Sequence, residues 1–278
     1  MSNWAGFFIF SPVSSADSIQ DIYKEAQSLK KLKHKNIVEL YHAFVEGKQL
    51  IMIMELASGG EVLEYVEKNG AMEEPEARAI LFQIINAMQY CHGRGVVHRD
   101  LKLENVLFKD TSDKNMVKII DFGISGVCTT AKQDKVDAGS IAYMPPECFT
   151  NASVTTSPAL DVWAIGLMFY AMLYGTLPFY SEDESDLIQQ IKKNNVYYPP
   201  EIPVTAEAKK VLASMLEKDP AKRLQLIEYI TWDYYRDDDS QHNKKYIAAK
   251  TAHAHLQEIE EKKAEEYKLA SDLNAMNL

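Results

Sequence analysis

A single segment, Ala159 to Tyr174, is apolar on nearly all of its sides. A helix of this composition has no polar face to turn toward water, so it must be covered by other parts of the protein or by lipid. No apolar stretch of the sequence is long enough to span a bilayer. We therefore predict a buried central helix over 159–174, inside a domain large enough to enclose it.

The elements predicted around this helix form a strand-rich part followed by a helical part. The strand-rich part begins with a helix over 18–33 and continues with two strands, over 36–44 and 49–56. Further helices are predicted up to residue 69 and over 76–92, 159–174, 185–194 and 205–217, the last two near the N-cap candidates Ser185 and Thr205. Short strands and turns are expected over 96–123, and an irregular segment over 124–160. The predicted fold class is α+β, with a mainly α-helical large lobe.

Composition and charge argue against several classes of function. The net charge is −10, which does not suit a broad nucleic-acid-binding surface. The three cysteines, Cys91, Cys128 and Cys148, share no metal-ligand spacing, so we expect reduced thiols. The apolar run from Trp4 to Phe10 has no basic residue before it, which is not the pattern of a signal peptide. We therefore expect a cytoplasmic protein with no nucleic-acid or membrane partner.

Two short motifs carry the chemistry, and they are HRDLKLEN at 98–105 and DFG at 121–123. Phosphoryl transfer needs a carboxylate to accept the hydroxyl proton, cations for the phosphates and hard oxygen ligands for Mg²⁺. Asp100 is suited to be the base, and Lys102 to be a cation for the γ-phosphate. Asn105 and Asp121 supply the oxygen ligands. In this order and at this spacing, these residues resemble the protein kinase family.

Other motifs extend the resemblance into the large lobe. The run Gly139 to Glu147 resembles the end of a kinase activation segment. The resemblance implies that Asp161, near the start of the central helix, accepts hydrogen bonds from the backbone of the HRD motif. It also implies that Arg223 pairs with Glu147 inside the large lobe, because a buried carboxylate needs a partner.

The resemblance also assigns residues to an ATP site. The run IMIMELA at 51–57 looks like the strand that enters the kinase hinge. Met54 would be the gatekeeper, and the backbone of Glu55 and Ala57 would meet adenine. Glu61 would lie near the ribose, and Leu107 would form the floor under the base.

The residues near the base indicate the substrate class. A lysine two residues after the base, as Lys102 is after Asp100, resembles the pattern of serine/threonine kinases rather than that of tyrosine kinases. The resemblance also implies that Ser140 bridges Asp100 and Lys102. The LEN ending of the first motif and the Gly-Gly-Glu run after the hinge resemble the calcium/calmodulin-dependent and AMP-activated kinase branch. Glu61 and Glu104 would attract a basic side chain of a protein substrate, or serve only as solvated surface acids.

The resemblance is incomplete in the small lobe. A kinase small lobe carries a glycine-rich loop and a strand lysine, which pairs with the phosphates and with a helix glutamate that Glu25 matches. Only two glycines precede the Gly-Gly-Glu run, and the only lysine before Glu25 is Lys24, which cannot face its neighbour on a helix. If the run 6–10 stands where the lysine strand belongs, Phe10 replaces the lysine.

Two interpretations of this departure are open. In one, the chain is truncated or starts at a misplaced position, and its catalytic lobe is intact. In the other, it is a pseudokinase that acts as a protein-binding scaffold. Losing one preorganised charge contact costs roughly 3 kcal/mol, or about a hundredfold in rate. Retention of Asp100, Lys102, Asn105 and Asp121 favours the enzyme, because a scaffold need not keep all four.

The predicted organisation has four parts. They are a divergent N-terminal segment (1–17), a remnant small lobe (18–56), a kinase large lobe (57–232) and a charged, helical tail (233–278). The expected partners are a protein with a Ser or Thr acceptor and a regulatory protein at the exposed small lobe or the tail.

Overall fold

The computed structural model describes residues 5–10, 30–47, 49–111, 114, 116–121, 141–150, 156–223 and 225–229, with 5–10 and 227 described as backbone only. The chain divides into two units, 1–226 and 227–278. The second unit is described only over 227–229. The elements that position the site all belong to the first unit.

A three-stranded antiparallel sheet forms the strand-rich part. Its strands are β1 (Ala5–Phe10), β2 (Leu40–Glu46) and β3 (Gln49–Glu55), in the order β1-β3-β2. Leu50, Met52 and Met54 are buried along β3, so every second side chain faces the core. Strand β1 pairs with β3 from Ala5, which lies opposite Glu55.

Helices dominate the rest of the described chain. They are α1 (Val62–Asn69), α2 (Glu74–His92), α3 (Pro158–Tyr174), α4 (Glu184–Lys193), α5 (Ala206–Met215) and α6 (Leu226–Tyr229), with 3₁₀ turns at Leu103–Asn105 and Pro146–Phe149. Two short strands, β4 (Val106–Phe108) and β5 (Val117–Ile119), pair antiparallel. The predicted α+β class is confirmed, and the bounds of α2 to α5 differ from the prediction by at most two residues.

The central helix α3 is enclosed by other elements. All residues from Asp161 to Tyr174 are buried, and α2 and α5 pack against the helix. Gly175 ends α3 in the left-handed conformation, at φ 73°, which glycine adopts without strain. Among the described residues, no helix has both the length and the apolar composition needed to cross a membrane.

The first predicted strand starts later than predicted. Strand β2 begins at Leu40, not at residue 36, because Asn36 and Val38 bond to β5 instead of extending the sheet. The carbonyl of Asn36 accepts from the amide of Ile119 at 2.8 Å, and the Ile119 carbonyl accepts from the Val38 amide at 3.0 Å. These two bonds connect the strand-rich part to the hairpin that carries the second motif.

Helices α4 and α5 begin at side-chain caps. The Asp183 carboxylate accepts from the Asp186 amide at 2.8 Å, and the Thr205 hydroxyl accepts from the Ala208 amide at 3.2 Å. The predicted N-cap at Thr205 is confirmed. The predicted N-cap at Ser185 is wrong, because α4 begins at Glu184 and Asp183 is its N-cap.

Other predictions lie partly or wholly outside the described residues. Of the helix predicted over 18–33, only 30–33 is described, and residues 30 and 31 form a turn, so the predicted end was too late. Of the irregular segment predicted over 124–160, residues 142–150 form turns and a 3₁₀ helix, and α3 already begins at Pro158. The tail at 233–278 is outside the described residues. The predicted domain boundaries stay predictions.

Gly166 lies where α3 has no room for a side chain. A Cβ atom at this position would lie 2.8 Å from Cβ of Met215 and 2.9 Å from Cδ2 of Leu216. We expect Gly166→Ala to lower the free energy of unfolding by about 1–3 kcal/mol, because an added methyl group in a close-packed core displaces its neighbours. At Gly93, which has φ −63° and a nearest neighbour at 3.4 Å, alanine should cost less than about 0.5 kcal/mol. Equal losses in urea unfolding would contradict this account.

Candidate active site

One buried carboxylate holds the HRD motif in place. Asp161, in the first turn of α3, is 1% exposed. Its Oδ2 accepts from the His98 amide at 2.9 Å, and its Oδ1 accepts from the Arg99 amide at 2.9 Å. Nε2 of His92, at the end of α2, lies 2.7 Å from Oδ2. The predicted contact between Asp161 and the motif is confirmed, whereas the part played by His92 was not predicted.

The backbone is strained on both sides of the site. Arg99 has φ 73° and Asp121 has φ 58°, values that non-glycine residues rarely adopt. Each such residue costs about 1–3 kcal/mol and persists only where the surrounding structure imposes it. At Arg99, the hydrogen bond from its amide to Asp161 is part of that constraint.

The predicted base, cation and amide ligand lie together on the loop that runs from the last residue of the HRD motif to Asn105. Nζ of Lys102 is 3.5 Å from Oδ2 of Asp100. Nδ2 of Asn105 donates to the Asp100 carbonyl at 2.7 Å and lies 3.4 Å from its Oδ2. Because the amide nitrogen of Asn105 is used in this way, Oδ1 is the atom that is suited to a cation.

Asp121 is positioned through the residue before it. The Ile120 amide donates to the Asn105 carbonyl at 2.9 Å. The Ile120 carbonyl lies 2.9 Å from Nε2 of His98, and because a carbonyl only accepts, Nε2 carries the proton. These bonds place Asp121 beside the loop that carries Asp100 and Asn105.

Charge and burial around Asp121 suit a cation. Burial raises the pKa of the Asp121 carboxyl above its usual value, and the Asp100 carboxylate adds to the rise, while His98 and Lys102 oppose it. A divalent cation would offset the repulsion between two neighbouring carboxylates. Within the described residues no group of three or more His, Cys, Asp or Glu could hold a metal ion. That is compatible with Mg²⁺, which binds through one or two protein ligands together with phosphate oxygens and water.

The hinge segment, residues 56–60, lies along strand β4. The amides of Ser58 and Gly59 donate to Lys109 and Phe108, each at 3.1 Å, and the Phe108 amide donates to Gly60 at 2.9 Å. A Cβ atom on Gly59 would lie 2.5 Å from Cβ of Phe108, so only glycine permits this approach.

The residues predicted to bind the nucleotide lie where β3, the hinge segment and β4 meet. Met54 is buried on β3, Glu55 ends that strand, and Ala57 follows in the hinge segment. Glu61 and Leu107 form a β-bridge, so the predicted ribose and floor residues are neighbours. Burial raises the pKa of Glu61, and the nearby acids Glu64 and Glu104 raise it further. The roles assigned to these residues stay predictions.

Two polar contacts near the site were not predicted. Lys118 on β5 forms an ion pair of 2.7 Å with Glu55. The fully buried side chain of Asn36 donates to Gln83 at 2.7 Å and to the Val117 carbonyl at 2.9 Å. These contacts join residues far apart in sequence. Lys118 lies within the apolar run 116–120, which is a local signal of a buried polar residue, whereas Asn36 directly follows Lys35 and gives no such signal.

The predicted pair of Arg223 and Glu147 is confirmed. Nη1 of Arg223 lies 2.8 Å from Oε1 of Glu147, and Nη2 lies 3.1 Å from Oε2. Arg223 also donates to the carbonyls of Glu217 and Ala159, and its guanidinium lies 5.1 Å from the ring centroid of Trp163. This buried cation therefore has a carboxylate, two carbonyls and an aromatic ring as partners, and a charge away from water requires such partners.

Other predicted residues of the site fall outside the described part of the chain. They are Glu25, Ser140 and the last two residues of the DFG motif. The strand that flanks β3 on the side away from β2 is β1, whose sequence AGFFIF contains no lysine.

Comparison with known proteins gives concordant matches. A family model described as a protein kinase domain matches residues 10–235. A CDPK-related protein kinase from Daucus carota is 37% identical over 216 residues, which is 76% of this chain and 35% of that protein. A solved structure, Rad53 1–466 in complex with AMP-PNP, matches with a TM-score of 0.71 and 29% identity, over 83% of this chain and 57% of that one. The chain thus spans about a third of the length of the Daucus carota relative.

The Asp161 contacts predict a specific loss. In Asp161→Asn one carboxylate oxygen becomes an NH₂ group, which meets a backbone N–H donor and leaves it unsatisfied. We expect the free energy of unfolding to fall by about 2–3 kcal/mol, because buried donors would lose their acceptor. Asp183→Asn is the matched control, since Asn caps a helix as well as Asp does, and it should cost less than about 0.5 kcal/mol. Similar losses for both variants in denaturant unfolding would refute the anchoring role of Asp161.

Proposed function

Because this chain belongs to the protein kinase family, we propose that it transfers the γ-phosphoryl group of ATP to serine or threonine hydroxyls of proteins. One observation carries the proposal. Asp100, Lys102 and Asn105 lie within hydrogen-bonding or ion-pair distance on one loop, which Asp161 anchors to the central helix. A loop that served only to hold a partner would not need this arrangement.

Each residue has one step in the proposed reaction. The Asp100 carboxylate accepts the proton of the substrate hydroxyl while the hydroxyl oxygen bonds to the γ-phosphorus. The bond between the γ-phosphorus and the β,γ-bridging oxygen breaks, which releases ADP. The Lys102 ammonium, 3.5 Å from Asp100, stabilises negative charge on the transferred group. Asn105 and Asp121 would hold Mg²⁺, which, when bound, neutralises charge on the phosphate oxygens.

The acids around the site support a basic protein substrate. Oε2 of Glu104 is buried and has no hydrogen-bond partner among the described residues. Glu104 also raises the pKa of Glu61, so the two carboxylates repel each other. A lysine or arginine side chain of the substrate beside these two acids would relieve this repulsion.

A second candidate function is a binding module with little turnover. One observation favours it, because β1 flanks β3 but contains no lysine to hold the α- and β-phosphates. Loss of such a cation would slow the reaction by about a hundredfold without affecting the fold of the large lobe. The two candidates therefore differ in turnover rather than in structure.

Phosphotransfer to a basic serine peptide separates these candidates. We expect measurable transfer from Mg²⁺-ATP by the unaltered chain and loss of more than about 99% of it in Asp121→Asn, because a metal ligand is removed. Asp219→Asn, at an exposed carboxylate of a surface ion pair, should keep full activity. Radiolabel transfer measures all three. Partner binding with no turnover in the unaltered chain would support the scaffold instead.

A Glu104 variant tests the substrate class. Glu104→Gln should raise KM for a basic serine peptide by about fivefold or more, since a charge-assisted contact is lost, and leave KM for a neutral peptide within about twofold. Glu207→Gln, at an exposed acid of α5, is the control for overall charge. An equal rise in KM for both peptides would exclude direct recognition of a basic side chain.

A further inference from the structure

A partly buried ion pair joins two walls of the proposed adenine pocket. Nζ of Lys118 lies 2.7 Å from Oε2 of Glu55, and the two side chains are 8% and 24% exposed. Glu55 is the last residue of β3, directly before the hinge segment. Lys118 is the central residue of β5. The pair therefore links the hinge to the hairpin beneath it, across 63 residues of sequence.

Lys118 belongs to the floor of the pocket. It lies directly opposite Leu107 in the pairing of β4 with β5. Residues directly opposite each other in an antiparallel pair project from the same face. The residue predicted to lie under the base and the lysine that holds Glu55 thus share one face of the hairpin.

Glu55 is held through both its backbone and its side chain. Its amide donates to the Glu39 carbonyl at 2.9 Å, and its Oε2 accepts from the Glu39 amide at 3.3 Å. With Lys118 on the same oxygen, the orientation of the Glu55 peptide is set from two sides. A largely buried lysine does not readily give up its counter-charge, because an unpaired charge away from water is unfavourable.

We propose that Lys118 and Glu55 are positioning residues for the adenine base, a role that rests on the proposed function. The ion pair orients the hinge backbone at Glu55 and Ala57, so that their polar groups meet the edge of the base. Neither side chain contacts the transferred phosphate. The pair therefore contributes to recognition of the base and not to recognition of the triphosphate.

Comparison of ATP with Mg²⁺-tripolyphosphate tests this division. Lys118→Met keeps an unbranched apolar stem and removes the charge. We expect its Kd for ATP to rise by about tenfold, while its Kd for tripolyphosphate stays within about twofold, because only ATP uses the hinge. A purely structural role would weaken both ligands alike or neither. Either of those results in calorimetry would overturn the proposal.

Two further variants serve as controls. The reversed pair, Glu55→Lys with Lys118→Glu, should recover at least part of the ATP affinity lost in Lys118→Met, since opposite charges are restored. Lys222→Met removes the lysine of an exposed ion pair at 3.5 Å and should leave both Kd values unchanged. No recovery in the reversed pair, or an equal loss in Lys222→Met, would count against the proposal.

Hydrogen exchange in the free chain separates this inference from the proposed function. If the unaltered chain binds neither ligand, the proposed function fails, but the ion pair still has a measurable effect. In Lys118→Met the amides of Glu55, Ser58 and Gly59 should exchange at least about fivefold faster, because the hinge loses its lateral support. Unchanged exchange at these amides would overturn the positioning role, whatever the nucleotide data show.

Discussion

The Asp161 carboxylate is the contact on which the candidate site depends. Three nitrogen atoms, from the end of α2 and from the HRD motif, converge on its two oxygens. The carboxylate lies at the N-terminal end of α3, where the helix dipole favours negative charge. Because α3 is buried from Asp161 to Tyr174, this carboxylate ties the loop that carries Asp100 to a fully enclosed helix. Without this anchor, the strained backbone at Arg99 would relax.

The site is built by two parts of the fold with different roles. The helical part sets the catalytic loop through α3, and the hairpin of β4 and β5 sets Asp121 through Ile120. The strand-rich part sets the hinge through β3 and the pair of Glu55 and Lys118. Asn36 joins the two parts, because its backbone and side chain both bond to the hairpin. The loop of Asp100 and the segment after β3, to which we assign the chemistry and base recognition in the proposed function, are therefore positioned by separate sets of contacts that meet at one hairpin.

This division explains how an assembled catalytic loop coexists with a strand that has no lysine. The geometry of Asp100, Lys102 and Asn105 depends on α3 and not on β1. Under the proposed function, a change in β1 would affect the hold on the phosphates without disturbing Asp100. A measured rate of phosphotransfer would therefore report on the effect of β1. The free energy of unfolding of the large lobe would report on the contacts of Asp161 and on the pair of Arg223 and Glu147.

The sequence by itself determined the family, the buried central helix, the bounds of the main helices to within two residues, and the contacts of Asp161 and Arg223. The helices and their burial follow from helical periodicity, which is a local property of the chain, whereas the contacts of Asp161 and Arg223 follow from the resemblance of the motifs to the protein kinase family. Only the tertiary structure decided that residues 36–38 bond to β5, that His92 joins Asp161, and that Lys118 pairs with Glu55. Each of these depends on segments that are distant in sequence, and neither periodicity nor spacing contains the information about which polar groups will meet when the core closes.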